Sequence, residues 1–227
     1  MLNRVVINIC LFVVFIAAPY SAVAGPVITF GSGSAVSSTD LFASFDTLAT
    51  SGHDLNNYAE GGLNVRSVSP YNDGLSFACD GCIAGSTSPL WYVNGGMYDG
   101  YLSISTVAEE KIYATEFLVG SGWGRALFNI YWESYTGSAL SGSGSLFNVE
   151  SGPVLGFADA AGFDELRLGA YFFDPGGSFV GSTPRPNAIA IDDLRVQVTP
   201  VPEPATGTVL LTGLAMLAIA RRRNTVK

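Results

Sequence analysis

The chain has 227 residues, enough for one sizeable domain or two small ones, and only 13% of them are charged. Five of the eleven bases (Arg4, Arg221, Arg222, Arg223 and Lys227) sit at the two ends, so residues 25–204 keep six bases against all 19 acids, a net charge of −13. Such a body is repelled by phosphate backbones, which argues against nucleic acid. One His (His53) and three Cys leave little for His-based catalysis or a multi-ligand zinc site.

The first element is a targeting segment. Arg4 precedes an apolar run over residues 5–18, Pro19 ends it, and Ala22-Val23-Ala24 has the small-x-small form that signal peptidase cleaves. A run of 14 residues, apolar but for Asn8, is short for a permanent membrane anchor. Residues 1–24 therefore read as a signal helix, with the mature chain starting at Gly25 and Cys10 discarded.

From residue 25 to 199 period-2 alternation replaces any sustained 3.6-residue period. Leu63 and Val65 share one face, with Asn64 and Arg66 on the other. Leu102 and Ile104 oppose Tyr101, Ser103 and Ser105; Phe128, Ile130 and Trp132 oppose Asn129, Tyr131 and Glu133. Leu166, Leu168, Ala170 and Phe172 oppose Glu165, Arg167, Gly169 and Tyr171. Segments around Ser76, Trp91, Lys111 to Val119 and Leu155 add further strands, and the Gly- and Ser-rich residues 137–145 and 174–177 read as turns or loops. Many short strands with glycine-rich connections predict a single all-β domain, an antiparallel sandwich or barrel.

Cys79-Asp80-Gly81-Cys82 has a redox-motif spacing but lies in a Gly-rich loop with no βαβ pattern around it. In an exported chain the two cysteines are expected to form a disulfide, the alternative being a redox or metal role. So small a ring contributes only about 2 kcal/mol. It would stiffen the loop near Trp91, Tyr92 and Tyr98, which are candidate platforms for stacking against sugar rings. Trp132 is assigned to the core.

The last strand is out of phase with itself. Ile189 and Ile191 share a face, while Leu194, Val196 and Val198 continue in the opposite phase. A β-bulge at Asp192-Asp193 restores one inward face and places two carboxylates side by side, where a cation or hydrogen-bond donors must compensate them. Structural calcium and an exposed acidic pair are the two readings.

The end of the chain carries Val201-Pro202-Glu203-Pro204, an uncharged stretch over residues 205–220, and Arg221-Arg222-Arg223. That stretch spans about 24 Å as a helix, a tight fit to a bilayer, with the arginines holding its end in the cytoplasm. Motif, short apolar helix, basic cluster and chain end, in that order, resemble the PEP-CTERM sorting signal of Gram-negative bacteria. The resemblance implies processing by signal peptidase and then by an exosortase that reads Pro202, Glu203 and Pro204. It also implies an inner-membrane-anchored precursor that ends at the cell surface or outside the cell.

Ala190 to Val196 further resembles the closing strand of PEP-CTERM ectodomains and of jelly-roll carbohydrate-binding modules. There an early Phe-Asp joins the late Asp pair around calcium, which here implies Phe45-Asp46 beside Asp192 and Asp193. Asn57 to Leu63 resembles a second shared element.

The chain has no Gly-x-Ser-x-Gly elbow, P-loop or dinucleotide fingerprint. Glu109, Glu110, Glu116 and Glu133 offer carboxylates for glycoside hydrolysis, but nothing in the sequence sets two of them across a cleft. The expectation is a signal peptide (1–24), a β-sandwich ectodomain (25–199) and a sorting tail (200–227). The protein reads as a non-catalytic surface or matrix protein that binds polysaccharide, the alternative being a secreted polysaccharide hydrolase.

Overall fold

The computed structural model describes residues 25–31, 33, 35–46, 57–68, 75–77, 83–84, 86, 91–93, 101–121, 127–172, 185–187 and 189–200. In chain order the strands are β1 (Val27–Phe30), β2 (Leu41–Ala43), β3 (Asn57–Glu60), β4 (Leu63–Val68), β5 (Leu75–Phe77), β6 (Trp91–Val93) and β7 (Tyr101–Thr106). There follow β8 (Ile112–Ser121), β9 (Leu127–Thr136), β10 (Ala139–Glu150), β11 (Val154–Phe163), β12 (Glu165–Phe172), β13 (Arg185–Asn187) and β14 (Ile189–Gln197).

They form two antiparallel sheets. The first runs β1-β11-β8-β14-β6-β5, with β2 also on β14; the second runs β10-β9-β12-β7-β4-β3, with β13 also on β12. No helix occurs among the described residues, as the alternating apolar pattern predicts. Of the inward residues named from that pattern, Leu63, Val65, Leu102, Ile104, Phe128, Ile130, Trp132, Leu166, Leu168 and Ala170 lie in one core, and the side chain of Phe172 lies outside the described residues. Opposite them the first sheet contributes Phe117, Leu155, Phe157, Ile191, Leu194 and Val196. The Trp132 and Phe157 rings meet edge-on at 5.6 Å between centroids, which joins the two sheets face to face. Each such aromatic contributes roughly 1.5–3 kcal/mol through the apolar surface it removes from water.

One expectation is corrected. Residues 137–145 are not a loop: only Gly137 and the following residue turn, and Ala139–Glu150 is the longest strand. It pairs with β9, setting Gly144 opposite Trp132 and Leu146 opposite Ile130. A Cβ at Gly144 would sit 3.0 Å from the indole Nε1, so glycine is what lets the Trp132 ring lie against the neighbouring strand. Here glycine makes room for a partner's side chain and does not mark a turn.

The phase slip in β14 is a bulge. Against β8, Asp192 pairs with Leu118 and Arg195 with Glu116, so β14 carries one extra residue. Asp193 takes it up with φ +50°, a left-handed conformation that Asp tolerates better than most residues. The bulge also marks a change of neighbour: before it β14 pairs with β6 (Ala190 with Tyr92, Ile191 with Trp91), after it with β2 (Leu194 with Ala43).

Candidate functional site

The outward side of β14 and β8 carries polar side chains that loops cover. Glu116 is buried, and its carboxylate accepts hydrogen bonds from the Gly33 N–H (3.1 Å) and Val36 N–H (3.4 Å), with Arg195 Nη1 at 3.6 Å. Asp192 is buried too; its Oδ2 accepts from Ser86 Oγ at 2.7 Å and its Oδ1 from the Asp193 N–H at 2.9 Å. Desolvation, helped by repulsion from Asp193 and Asp46, pushes the Asp192 carboxyl up to about 6 against the two hydrogen bonds it accepts.

The predicted acidic trio is thus brought within electrostatic reach. Phe45, with φ +61°, puts its ring in the core against Tyr58 (5.8 Å), while Asp46 stays exposed. The Glu60 carboxylate fixes this corner by accepting from the Phe45 N–H (2.9 Å) and the Tyr58 hydroxyl (3.0 Å). Gly61 and Gly62, with φ +56° and +84°, make the tight turn from β3 to β4, and a Cβ at Gly61 would overlap the Phe42 carbonyl. Among the described residues no group of three or more His, Cys, Asp or Glu side chains is arranged to hold a metal ion. Calcium takes six to eight oxygens, so the described side chains form at most part of a shell.

Trp91 and Tyr92 lie on β6 in the ladder beside Ile191 and Ala190. Cys79, Cys82, Tyr98, Pro202, Glu203, Pro204, Arg221, Arg222 and Arg223 lie outside the described residues.

A different group of aromatics gathers on the outward face of the second sheet. Register places Tyr135, Glu165, Ser105 and Asn64 in one row across β9, β12, β7 and β4, and Glu133, Arg167, Ser103 and Arg66 in the next. Tyr131 stands opposite Gly169, and its ring occupies the space a Cβ there would need. The Arg167 guanidinium stacks 3.9 Å from the Tyr135 ring centre and 4.7 Å from that of Tyr101. Its Nη2 donates to Glu165 Oε2 at 2.8 Å, and Ser103 Oγ donates to Glu165 Oε1. Burial pushes the Glu165 carboxyl up, but these two hydrogen bonds and the charges of Arg167 and Arg66 outweigh it and hold the pKa below its ordinary value. The Tyr135 hydroxyl donates to Glu133 Oε2 at 2.7 Å, a bond that raises the phenol pKa.

The rows end at a cavity of about 600 Å³ lined by Asn57, Asn64, Ser105, Thr106, Glu109 and Asp164 among others. Among the described residues its lining carries the Glu109 and Asp164 carboxylates and no base, and Asn64 Oδ1 is a buried acceptor without a partner among them. Sequence alternation had marked most of this face as the side opposite the core. It gave no sign that these residues would form one tyrosine and arginine surface.

The remaining signal is at the chain's end. Residues 200–224 match the PEP-CTERM protein-sorting motif. The PEP-CTERM match marks the chain as an exosortase substrate, exported as a membrane-anchored precursor and processed for surface display. It covers the tail and leaves the β body outside. Comparison with curated proteins found no match. Among the described residues no helix is long and apolar enough to cross a membrane; residues 205–220 lie outside them.

Proposed function

We propose that the β body is a non-catalytic jelly-roll sandwich that binds an uncharged polysaccharide on the outward face of the second sheet, in the extracellular matrix or biofilm of the exporting cell. The observation that carries this reading is the Tyr131, Tyr135, Tyr101 and Arg167 surface leading into the polar cavity. Flat aromatic faces suit the C–H-rich faces of pyranose rings, and the hydroxyl, amide and carboxylate lining suits their hydroxyl edges. Arg167 is already neutralised by Glu165, and among the described lining residues of the cavity the charged ones are acids, which favours a neutral glycan over an acidic one. Glu165 held ionised by arginine is poorly suited to serve as a general acid, which favours binding over the alternative of hydrolysis. The test is affinity electrophoresis of the exported protein through gels containing neutral or acidic polysaccharides. Retardation by a neutral glycan, without release of reducing ends and abolished in Tyr131→Ala, is expected; turnover would support the hydrolase, and no retardation would remove the reading.

Calcium at Asp46, Asp192 and Asp193 is a second part of the proposal. Its support is the mutual repulsion at the bulge, which a cation would relieve, with backbone carbonyls completing the shell. Free calcium at 100 times its dissociation constant would add about 2.7 kcal/mol of stability. An unchanged unfolding midpoint between calcium and chelator would leave the acidic pair compensated by hydrogen bonds alone.

A further inference from the structure

The body is fastened shut immediately before the sorting motif. One Asp40 carboxylate oxygen accepts from the Val198 N–H (2.9 Å), the Thr199 N–H (2.9 Å) and the Thr199 hydroxyl (2.7 Å). The Asp40 N–H donates to the Val196 carbonyl at 3.0 Å. Gln197 completes the fastening: its Oε1 accepts from the Ser37 N–H (3.1 Å) and hydroxyl (2.9 Å), and its Nε2 donates to the Thr199 carbonyl (2.9 Å). The segment before β2 thus grips the exit of β14 far beyond what pairing of β2 with Leu194 to Val196 requires. Thr199 is the last residue so held, and Pro200 and Val201 alone separate it from Pro202. Two residues span about 7 Å at full extension, less than the width of the sandwich above them.

We propose that Asp40 is a positioning residue for removal of the tail: its clamp fixes the chain at Thr199, two residues before the Pro202-Glu203-Pro204 motif, and so limits the processing enzyme's access to that motif. The inference rests on the tail being an exosortase substrate. A protease binds its substrate as extended chain, and a bulky domain two residues away competes for that space. Opening the clamp, with the Gln197 bond to Thr199, frees Thr199 and lengthens the free connector by about half, to about 10 Å, while Val198 stays packed against the core. Tail removal is therefore coupled to release of the exit, and the fold itself sets the rate of processing.

The test is pulse-chase conversion of the full-length precursor to the tail-less form in an exosortase-bearing host. Three changes are compared with wild type: Asp40→Ala, a six-residue Gly-Ser insertion after Pro200, and both together. Each single change is expected to speed conversion several-fold, and the double change to add nothing, because both supply the same slack. The insertion leaves the clamp and the body intact, so its effect is independent of any folding defect in Asp40→Ala. A merely structural Asp40 predicts degradation without faster conversion and no effect of the insertion; that result, or additive effects, would overturn the proposal. Failure of the wild-type precursor to lose its tail at all would remove the sorting reading itself.

Discussion

The Tyr131 ring lies across Gly169 on the neighbouring strand, in the space where any other residue would place its Cβ. The overlapping atoms are the far end of the tyrosine, so a methyl group there is accommodated by swinging the ring off the sheet and leaves the backbone ladder in place. Gly169→Ala is therefore expected to keep the fold, within about 1 kcal/mol, and to lose retention on neutral polysaccharide. Unfolding in urea together with affinity electrophoresis checks both halves. Unchanged retention would show that the flat Tyr131 ring takes no part in binding.

Asp192 makes stability depend on pH in an uncommon direction. Its carboxyl is raised to about 6 from an ordinary 3.8, so the folded state favours the protonated form. Its stabilising contribution is full below about pH 4 and is lost as the pH rises through about 6. Asp192→Asn keeps an acceptor for the Asp193 N–H and carries no charge. It is expected to be more stable than wild type by about 1–3 kcal/mol at pH 8 in chelator, the difference closing towards pH 4. Thermal unfolding across that range decides; a wild type at least as stable as the variant at pH 8 in chelator would contradict the cost assigned to the buried charge.

Glu116 holds down the loop that covers the first sheet. Glu116→Ala leaves the Gly33 and Val36 N–H groups and Arg195 without their carboxylate, and is expected to cost about 2–4 kcal/mol. Glu116→Gln retains one acceptor oxygen and is expected to lose less. Amide hydrogen exchange at Gly33 and Val36 should quicken in the alanine variant before global unfolding.

Two further outcomes concern the ends and the cysteine loop. Replacing Pro202 and Pro204 by Ala should make a precursor that retains Arg221 to Arg223 accumulate, visible in the intact mass of membrane extracts. Thiol labelling of the exported, unreduced protein should find Cys79 and Cys82 blocked as a disulfide; full labelling of both would return them to a redox or metal role.

Local pattern was sufficient wherever one face meets the core and the other does not. Leu63, Leu102, Phe128 and Leu166 were legible as inward residues because a strand's side chains alternate, and the bulge at Asp193 was legible because one extra residue reverses that alternation. Residues 139–145 were misread because glycine has two uses, turning the chain and making room. Only the position of Trp132 across the ladder tells which applies. The tyrosine surface escaped for a related reason: Tyr101, Tyr131 and Tyr135 come from β7 and β9, and β12 enters between them from later in the chain.

By itself the sequence determined the address, the fold class and the core face of the main strands, because export signals are read as linear chain and burial follows alternation. Tertiary structure decided which polar side chains meet. The strand order sets Arg167 between two tyrosines, brings Asp46 near Asp192, and hands the end of β14 to Asp40. Those meetings depend on long-range strand pairing, which closes loops of many residues and leaves no local trace in the chain.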